Sequence, residues 1–414
     1  MNKTLILSYN IIRNGEGPIP LSIASIIAYL KNDAEYGEKF EVDHTPFNLL
    51  DENLNVQDFQ NCFKNIQLNE YKFIAISAFV WNEYLMNPLI QHLRNQGFIN
   101  KIILGGCQIT FANQHHLKTE YPGCDIFVSG YAEKSFLEIL KNETPEKSYY
   151  NSTLDFDCLP SPYLNQEFPL GNGQSMIRWE TKRGCPYKCA FCAHRNLENG
   201  RVHYMQKDKA FAELALFKEK AVKRINVLDP IFNMGLNYLP ILKEIDRLNF
   251  TDTEFTFQSK IELLIKKDGP EFLNLIEKTN GHLEFGLQTV IPEEYKIIDR
   301  ANDVNIIRKQ LEILNQRNIS YEVSLIYGLP NQTVDSFKAS IEFAQNKGCK
   351  KITAWPLMLL KGTPLFSEKE KWNLKEEVLG DFNIPVVTSS NTFDKDQWLM
   401  MQEIANGLTK NCRI

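Results

Sequence analysis

The stretch RGCPYKCAFCAHR, residues 183–195, places three cysteines within eight residues. Cys185, Cys189 and Cys192 follow the spacing C-x3-C-x2-C, just after a run that reads as a β-strand. Thiolates are the metal-ligating form of cysteine. Three of them on one short loop can each take one iron of a [4Fe–4S] cubane. Full protein ligation of that cubane would need four cysteines. The remaining iron then stays open to an external ligand, which can chelate it and receive an electron. Lys182, Arg183 and Lys188 stand beside the cysteines and can offset the negative charge of a thiolate-ligated cluster. Two other readings use the same residues. Joined by His194, the cysteines could make a zinc site, because zinc takes both sulfur and imidazole nitrogen. With Cys158 as fourth ligand, they could hold a closed cluster that only transfers electrons.

The other cysteines, at 62, 107, 124, 158, 349 and 412, are far apart. An odd total of nine does not suggest a disulfide framework. A lone cysteine is usually a small buried hydrophobe. The chain of 414 residues is 43% hydrophobic and 23% charged, an ordinary globular composition with room for about two to three domains. A net charge of −5 argues against a general affinity for nucleic acid. The apolar run after Lys3 is too short for the core of a signal peptide. No window approaches the ~18 apolar residues of a membrane span. A cytoplasmic protein without membrane contact is expected.

The elements that must carry the cysteines lie in the second part of the chain. From residue 175, strand candidates recur at 176–180, 224–228, 254–258, 283–287, 322–326 and 351–355. Helical stretches separate them at 209–220, 236–248, 270–278, 304–317 and 333–347. Six such units predict a partial (β/α)6 barrel over 175–365, because the chain lacks room for the eight of a full one. Residues 366–414 read as an extension with a short helical segment at 397–408. Residues 146–174 hold a Pro- and Gly-rich stretch without helical period and read as a linker. Residues 1–145 alternate short apolar strands (5–8, 73–78, 101–104, 125–128) with helices (20–30, 87–94, 133–140). That pattern predicts a parallel, Rossmann-like α/β domain covered on both faces. Ligands of such sheets sit beyond the carboxyl ends of the strands. Gly105 and Gly106 end one strand there and would let backbone approach a ligand closely.

The cysteine loop, with Phe191 just before the third cysteine, resembles the signature of radical S-adenosylmethionine (SAM) enzymes. The resemblance covers roughly 175–365. It implies that the amino and carboxylate groups of SAM bind the open iron. One electron then splits the sulfonium into methionine and a 5'-deoxyadenosyl radical, which abstracts hydrogen. EFGLQTVIPEEYKIIDR (284–300) and VSLIYGLPNQT (323–333) resemble segments shared by oxygen-independent coproporphyrinogen oxidase and the tRNA methylthiotransferases. The resemblance implies SAM contacts from Gln288 and Arg300, with Arg300 near the SAM carboxylate, a task that suits a planar guanidinium. It makes Asp229, in VLDPIFN, the candidate for the SAM amino group. It also points Gln258 and Ser324 at the same mouth. Several relatives carry an acid where this chain has Ser324. KGTPL (361–365) fits the close of the last unit.

A Rossmann-like domain before such a barrel resembles the cobalamin-binding radical SAM family. IPLSIASIIAYL (19–30), LGGCQITF (104–111), YPGCDIFVSGYAEKSFLEIL (121–140) and LPSPYL (159–164) carry that resemblance. It implies cobalamin as a further cofactor, with Gly105 and Gly106 as candidate contacts. It also implies methyl transfer to an unactivated carbon of a small-molecule or peptide substrate, and an electron donor such as flavodoxin or ferredoxin. Other members use cobalamin without methyl transfer. None of the seven histidines has Asp two residues before it, so the Asp-x-His-x-x-Gly ligation of cobalt is absent. An RNA-binding domain of the methylthiotransferase kind is not evident after residue 365. Glu16, Trp81, Asn82, Phe232, Trp355 and Met358 are candidates for the substrate side.

Overall fold

The computed structural model describes the chain except for residues 53, 143, 154–155, 380–382 and 411–414. Cys412 and the linker residues Leu154 and Asp155 lie outside the described residues. The chain divides into two compact units. The first holds residues 1–170, with Leu379, Asn383 and Ile384, and the second holds the rest.

The first unit is a six-stranded parallel sheet of β1 (Asn2–Asn10), β2 (Phe40–Asn48), β3 (Phe73–Ser77), β4 (Lys101–Gly105), β5 (Ile126–Ser129) and β6 (Tyr149–Asn151). Their order is β2-β1-β3-β4-β5-β6. Alternate side chains enter two separate cores, as the period of a strand requires. Leu5, Leu7, Ile74, Ile76, Ile102 and Leu104 pack on one face with the helix Met86–Asn95. Ile6, Phe73, Ala75 and Ile103 pack on the other with the helices Leu21–Lys31 and Ala132–Lys141. Burial on both faces is why these strands appear as continuous apolar runs. The order reverses between β1 and β3, so ligands of this unit are expected beyond the ends of those strands. Two strands differ from the sequence expectation. β2 is a half-exposed edge strand whose apolar signal is weak. β6 pairs with β5 inside the stretch expected to be linker.

The second unit is a six-stranded parallel sheet of β7 (Ile177–Trp179), β10 (Arg224–Val227), β11 (Glu254–Ser259), β12 (Gly281–Gln288), β13 (Tyr321–Tyr327) and β14 (Ile352–Pro356). Its order is β14-β13-β12-β11-β10-β7. Two residues each from β8 (Lys182–Arg183) and β9 (His203–Tyr204) pair antiparallel at the base of the cysteine loop. Phe255, Phe257, Leu283, Phe285, Leu287, Val323 and Leu325 are buried. The residues between them, from Thr256 and Gln258 to Glu284, Gly286, Glu322 and Ser324, are less buried and form the opposite face of the sheet. Toward the C-terminus, β15 (Lys375–Leu379) and β16 (Ile384–Ser389) pair where only a weak pattern was expected. The terminal helix runs Lys395–Lys410 and buries Trp398 and Met401.

Candidate active site

Cys185, Cys189 and Cys192 line one cavity of about 520 Å³ with Phe191, Gln258, Gln288, Arg300 and Ser324. The loop that carries the cysteines is gripped at several points. Gly184 has φ +92°, and a Cβ there would stand 2.0 Å from the Arg201 carbonyl oxygen. Only glycine lets the loop leave β8 so close to the returning chain. Between the second and third cysteines, the Ala190 amide donates to Ile298 O at 2.7 Å. The Ala190 carbonyl accepts from the Leu365 amide at 3.2 Å. That second bond explains the segment 361–365. Thr363 caps the short helix Pro364–Ser367 and thereby orients Leu365.

Burial pushes the Cys185 thiol up and the Cys192 thiol up to about 11, with Cys189 adding to both and Arg300 opposing. Metal binding must therefore expel protons from these thiols. Among the described residues, no three His, Cys, Asp or Glu side chains converge as ligands of a single ion would. Thiolates on separate irons of a cubane need no common centre. Cys158 is exposed and belongs to the first unit.

Arg300 and Gln288 meet at the cysteines. Arg300 Nη1 lies 3.6 Å from Cys189 Sγ, and its Nη2 donates to Gly286 O. Gln288 ends β12 at a register shift, with φ +63°. A non-glycine residue in that conformation costs about 1–3 kcal/mol and marks a site held by its surroundings. Gln288 Oε1 and Arg300 Nε are buried with no hydrogen-bond partner. Orphaned polar atoms this close to the cysteines fit a polar ligand that is bound there. The chain between the two residues is fixed from beneath. The buried Glu294 carboxylate accepts from Thr289, Ser336 and Gln332, and Asn302 Nδ2 donates to Leu287 O and Thr289 O.

Other candidates fall elsewhere. Asp229 is fully buried and does not line the cavity. Its Oδ1 accepts from the Thr181 amide at 2.8 Å and the Lys182 amide at 3.0 Å, and its Oδ2 accepts from the Thr181 hydroxyl. Lys182, also buried, donates to the carbonyls of Ile231, Phe232 and Met234. Burial raises Asp229 and lowers Lys182 to about 8, each opposed by the other's charge. Asp229 thus anchors the entry to the cysteine loop. Gly106 has φ +94°, and a Cβ there would stand 2.6 Å from Ala78 O. The close approach it permits in this structure is to backbone after β3. Gly105 makes only ordinary contacts.

Phe232 is core, stacked on Phe257 at 4.3 Å. Asn82 is also buried and donates to Tyr9 O and Ser77 O, tying β1 to β3. Near the same strand ends, Asn10 Nδ2, Ser77 Oγ and Trp81 Nε1 are buried without hydrogen-bond partners. Trp355 lines the cavity of the second unit.

Lys260, Glu284 and Glu322 also line that cavity; Glu284 opens the segment 284–300, but the sequence assigned none of the three a role. Lys260 is lowered by burial and by Arg300; its Nζ lies 3.1 Å from Glu262. Strand register pairs Glu284 with both Gln258 and Glu322. Burial and the Glu322 charge raise Glu284. Burial alone would raise Glu322 too, but the adjacent His282 and the Lys351 ammonium hold it below its usual range. The signal for this row is register, which a sequence read in isolation does not carry.

Fold and cavity together define a barrel built to present three cysteines to an open pocket. Residues 179–344 match the family model of the radical SAM superfamily. The chain is 21% identical over 327 residues to the cobalamin-dependent radical SAM methyltransferase TokK of Streptomyces tokunonensis. That match covers 70% of this chain and 47% of TokK, so the chain spans about half the length of this relative. Its fold is similar to that of the radical SAM methyltransferase TsrM from Kitasatospora setae, with a TM-score of 0.68 and 14% identity over 92% of this chain and 79% of TsrM. It is also similar to that of the cobalamin-dependent SAM radical enzyme OxsB, with a TM-score of 0.70 and 14% identity over 100% of this chain and 67% of OxsB. The radical SAM fold implies SAM and a [4Fe–4S] cluster as cofactors. Among the described residues, no helix is long and apolar enough to cross a membrane.

Proposed function

We propose that the chain is a cobalamin-dependent radical SAM methyltransferase acting on an unactivated carbon of a small molecule or peptide. The observation that carries the radical SAM part is the meeting of Arg300 and Gln288, with their orphaned polar atoms, at a three-cysteine loop. Cys185, Cys189 and Cys192 would each hold one iron, leaving one open. With cluster and SAM bound, the site supplies an electron to the sulfonium and a carbon radical able to take a hydrogen atom. Arg300 would orient the SAM carboxylate through charge-assisted hydrogen bonds, and Gln288 would accept from a SAM donor. Phe191, Gln258 and Ser324 complete the wall. Lys260 and Arg300 place positive charge where the thiolate-ligated cluster would carry negative charge.

The cobalamin part rests on the first unit. Its sheet has the β2-β1-β3-β4-β5 order whose ligands bind at the β1/β3 reversal. Asn10, Ser77 and Trp81 leave three buried polar atoms unpartnered near those strand ends. TsrM and OxsB, which share the fold, are described with cobalamin bound. An electron donor such as flavodoxin or ferredoxin would reduce the cluster. Anaerobic reconstitution followed by a visible spectrum tests this: bound cobalamin and a methylated product are expected. SAM cleavage without bound cobalamin would remove the methylcobalamin route.

Two observations favour a second reading, a radical SAM enzyme of another reaction type. Gly106 is explained by Ala78 and the chain has no Asp-x-His, so two features tied to a cobalamin role are otherwise accounted for or missing. Deuterium transfer from labelled substrate into 5'-deoxyadenosine, without methylated product, would support it.

A further inference from the structure

The cavity has two ends of unlike charge, and the radical SAM reading above accounts for one of them. Lys260 and Arg300 stand on the wall with the cysteines, where an anionic cluster and a SAM carboxylate would be matched. On the strands, Gln258, Glu284 and Glu322 lie side by side in register on β11, β12 and β13. Lys351, just before β14, closes on Glu322, and His282 Nε2 lies 3.6 Å from the same carboxylate. Glu322 is therefore matched by cationic and imidazole partners. Glu284 is not. Among the described residues no ammonium or guanidinium is in ion-pair contact with it; Gln258 hydrogen-bonds it, and Lys351 and His282 act on it only at longer range, so that burial and the Glu322 charge outweigh them. It is half-buried, so water screens it poorly.

Two further observations point to a ligand at this wall. Ser259 is only 7% exposed, lines the cavity, and has a hydroxyl with no hydrogen-bond partner. Trp355 lines the same cavity and is 59% exposed, unusual for the largest apolar side chain. An indole face is the best aromatic partner for a cation.

We propose that Glu284 is a specificity-determining residue that receives a cationic nitrogen of the substrate, an ammonium or guanidinium, with Trp355 covering the cation. The incoming cation relieves the repulsion between Glu284 and Glu322. Burial and Glu322 make Glu284 hold a proton more readily than usual, and a bound cation takes the place of that proton. The inference rests on the radical SAM reading of this cavity and names the substrate class it takes.

The test uses the full chain with its cluster reconstituted, and phenethylamine with its neutral counterpart phenethyl alcohol as probes. Calorimetry should show saturable binding of the amine to the native protein and about tenfold weaker binding of the alcohol. Glu284→Gln should bind both probes alike, at unchanged iron content, while Glu284→Asp should keep the preference for the amine. Equal binding of both probes to the native protein, no saturable amine binding, or an undiminished preference in Glu284→Gln would overturn the proposal. So would a Glu284→Gln variant whose first defect is in SAM binding. If the native cluster's spectrum ignores SAM, the radical SAM reading fails instead, a result distinct from any of these.

Discussion

Arg300 and Asp229 are both charged residues in the cysteine-bearing unit, and their surroundings give them opposite tasks. Arg300 keeps an unpartnered buried N–H facing the cysteine wall, whereas every Asp229 contact is to the protein itself. On the proposed reading, Arg300→Ala removes charge-assisted hydrogen bonds worth about 1.5–3 kcal/mol. SAM affinity should fall by about ten- to a hundredfold with iron content near normal, which a SAM titration of the reconstituted cluster measures. Asp229→Ala should behave differently. It leaves the Lys182 ammonium without its buried counter-charge and two amides without an acceptor. The expected cost is about 3–5 kcal/mol, seen as a lower denaturant midpoint. A variant of native stability that has only lost SAM affinity would restore Asp229 as a ligand-binding residue.

At the scale of elements, the cysteine loop is held at Gly184, at Ala190 and by the Asp229 anchor. Gly184→Ala forces a side chain against the Arg201 carbonyl at a φ that disfavours it. The distortion should cost about 1–3 kcal/mol, concentrated in the loop. Iron loading should drop sharply while far-ultraviolet circular dichroism stays native. Normal iron loading would show that the loop has another way to close. The elements most legible in the sequence were those with buried, periodic strands, such as β12 and β13, whose alternation survives in the residues themselves. β2 was missed because an edge strand carrying Pro46 and polar residues buries too little to leave a pattern. The cysteines were legible because their spacing alone encodes shared ligation. The Asp229 anchor was not legible because a strand-end carboxylate looks the same in sequence whether it faces a pocket or turns back to Thr181. Glu284 stands in the quoted segment 284–300, but its pairing with Glu322 was not legible because it exists only once β12 and β13 are in register.

At the scale of the molecule, the two units should respond differently to acid. In the first, burial lowers His44 to about 4, where it lies 2.7 Å from the Ser8 hydroxyl across β1 and β2. A depressed histidine favours the folded state fully above its unfolded pKa of about 6.5. Below that the unfolded chain takes up a proton that the folded one refuses. Stability should therefore fall from about pH 6.5 toward pH 4, then level off. His44→Gln should flatten that loss, as pH-dependent melting of the first unit's transition would show. An unchanged pH profile in the variant would exclude His44 as the cause.

The central claim is that three cysteines leave one iron open and that Gln288 and Arg300 help hold SAM upon it. Electron paramagnetic resonance of the anaerobically reconstituted, reduced protein, with and without SAM, tests it most directly. The account predicts about four irons per chain, a cubane signal whose shape changes when SAM is added, and loss of that signal in Cys189→Ala. A cluster signal indifferent to SAM would contradict it and leave a protein that only carries electrons.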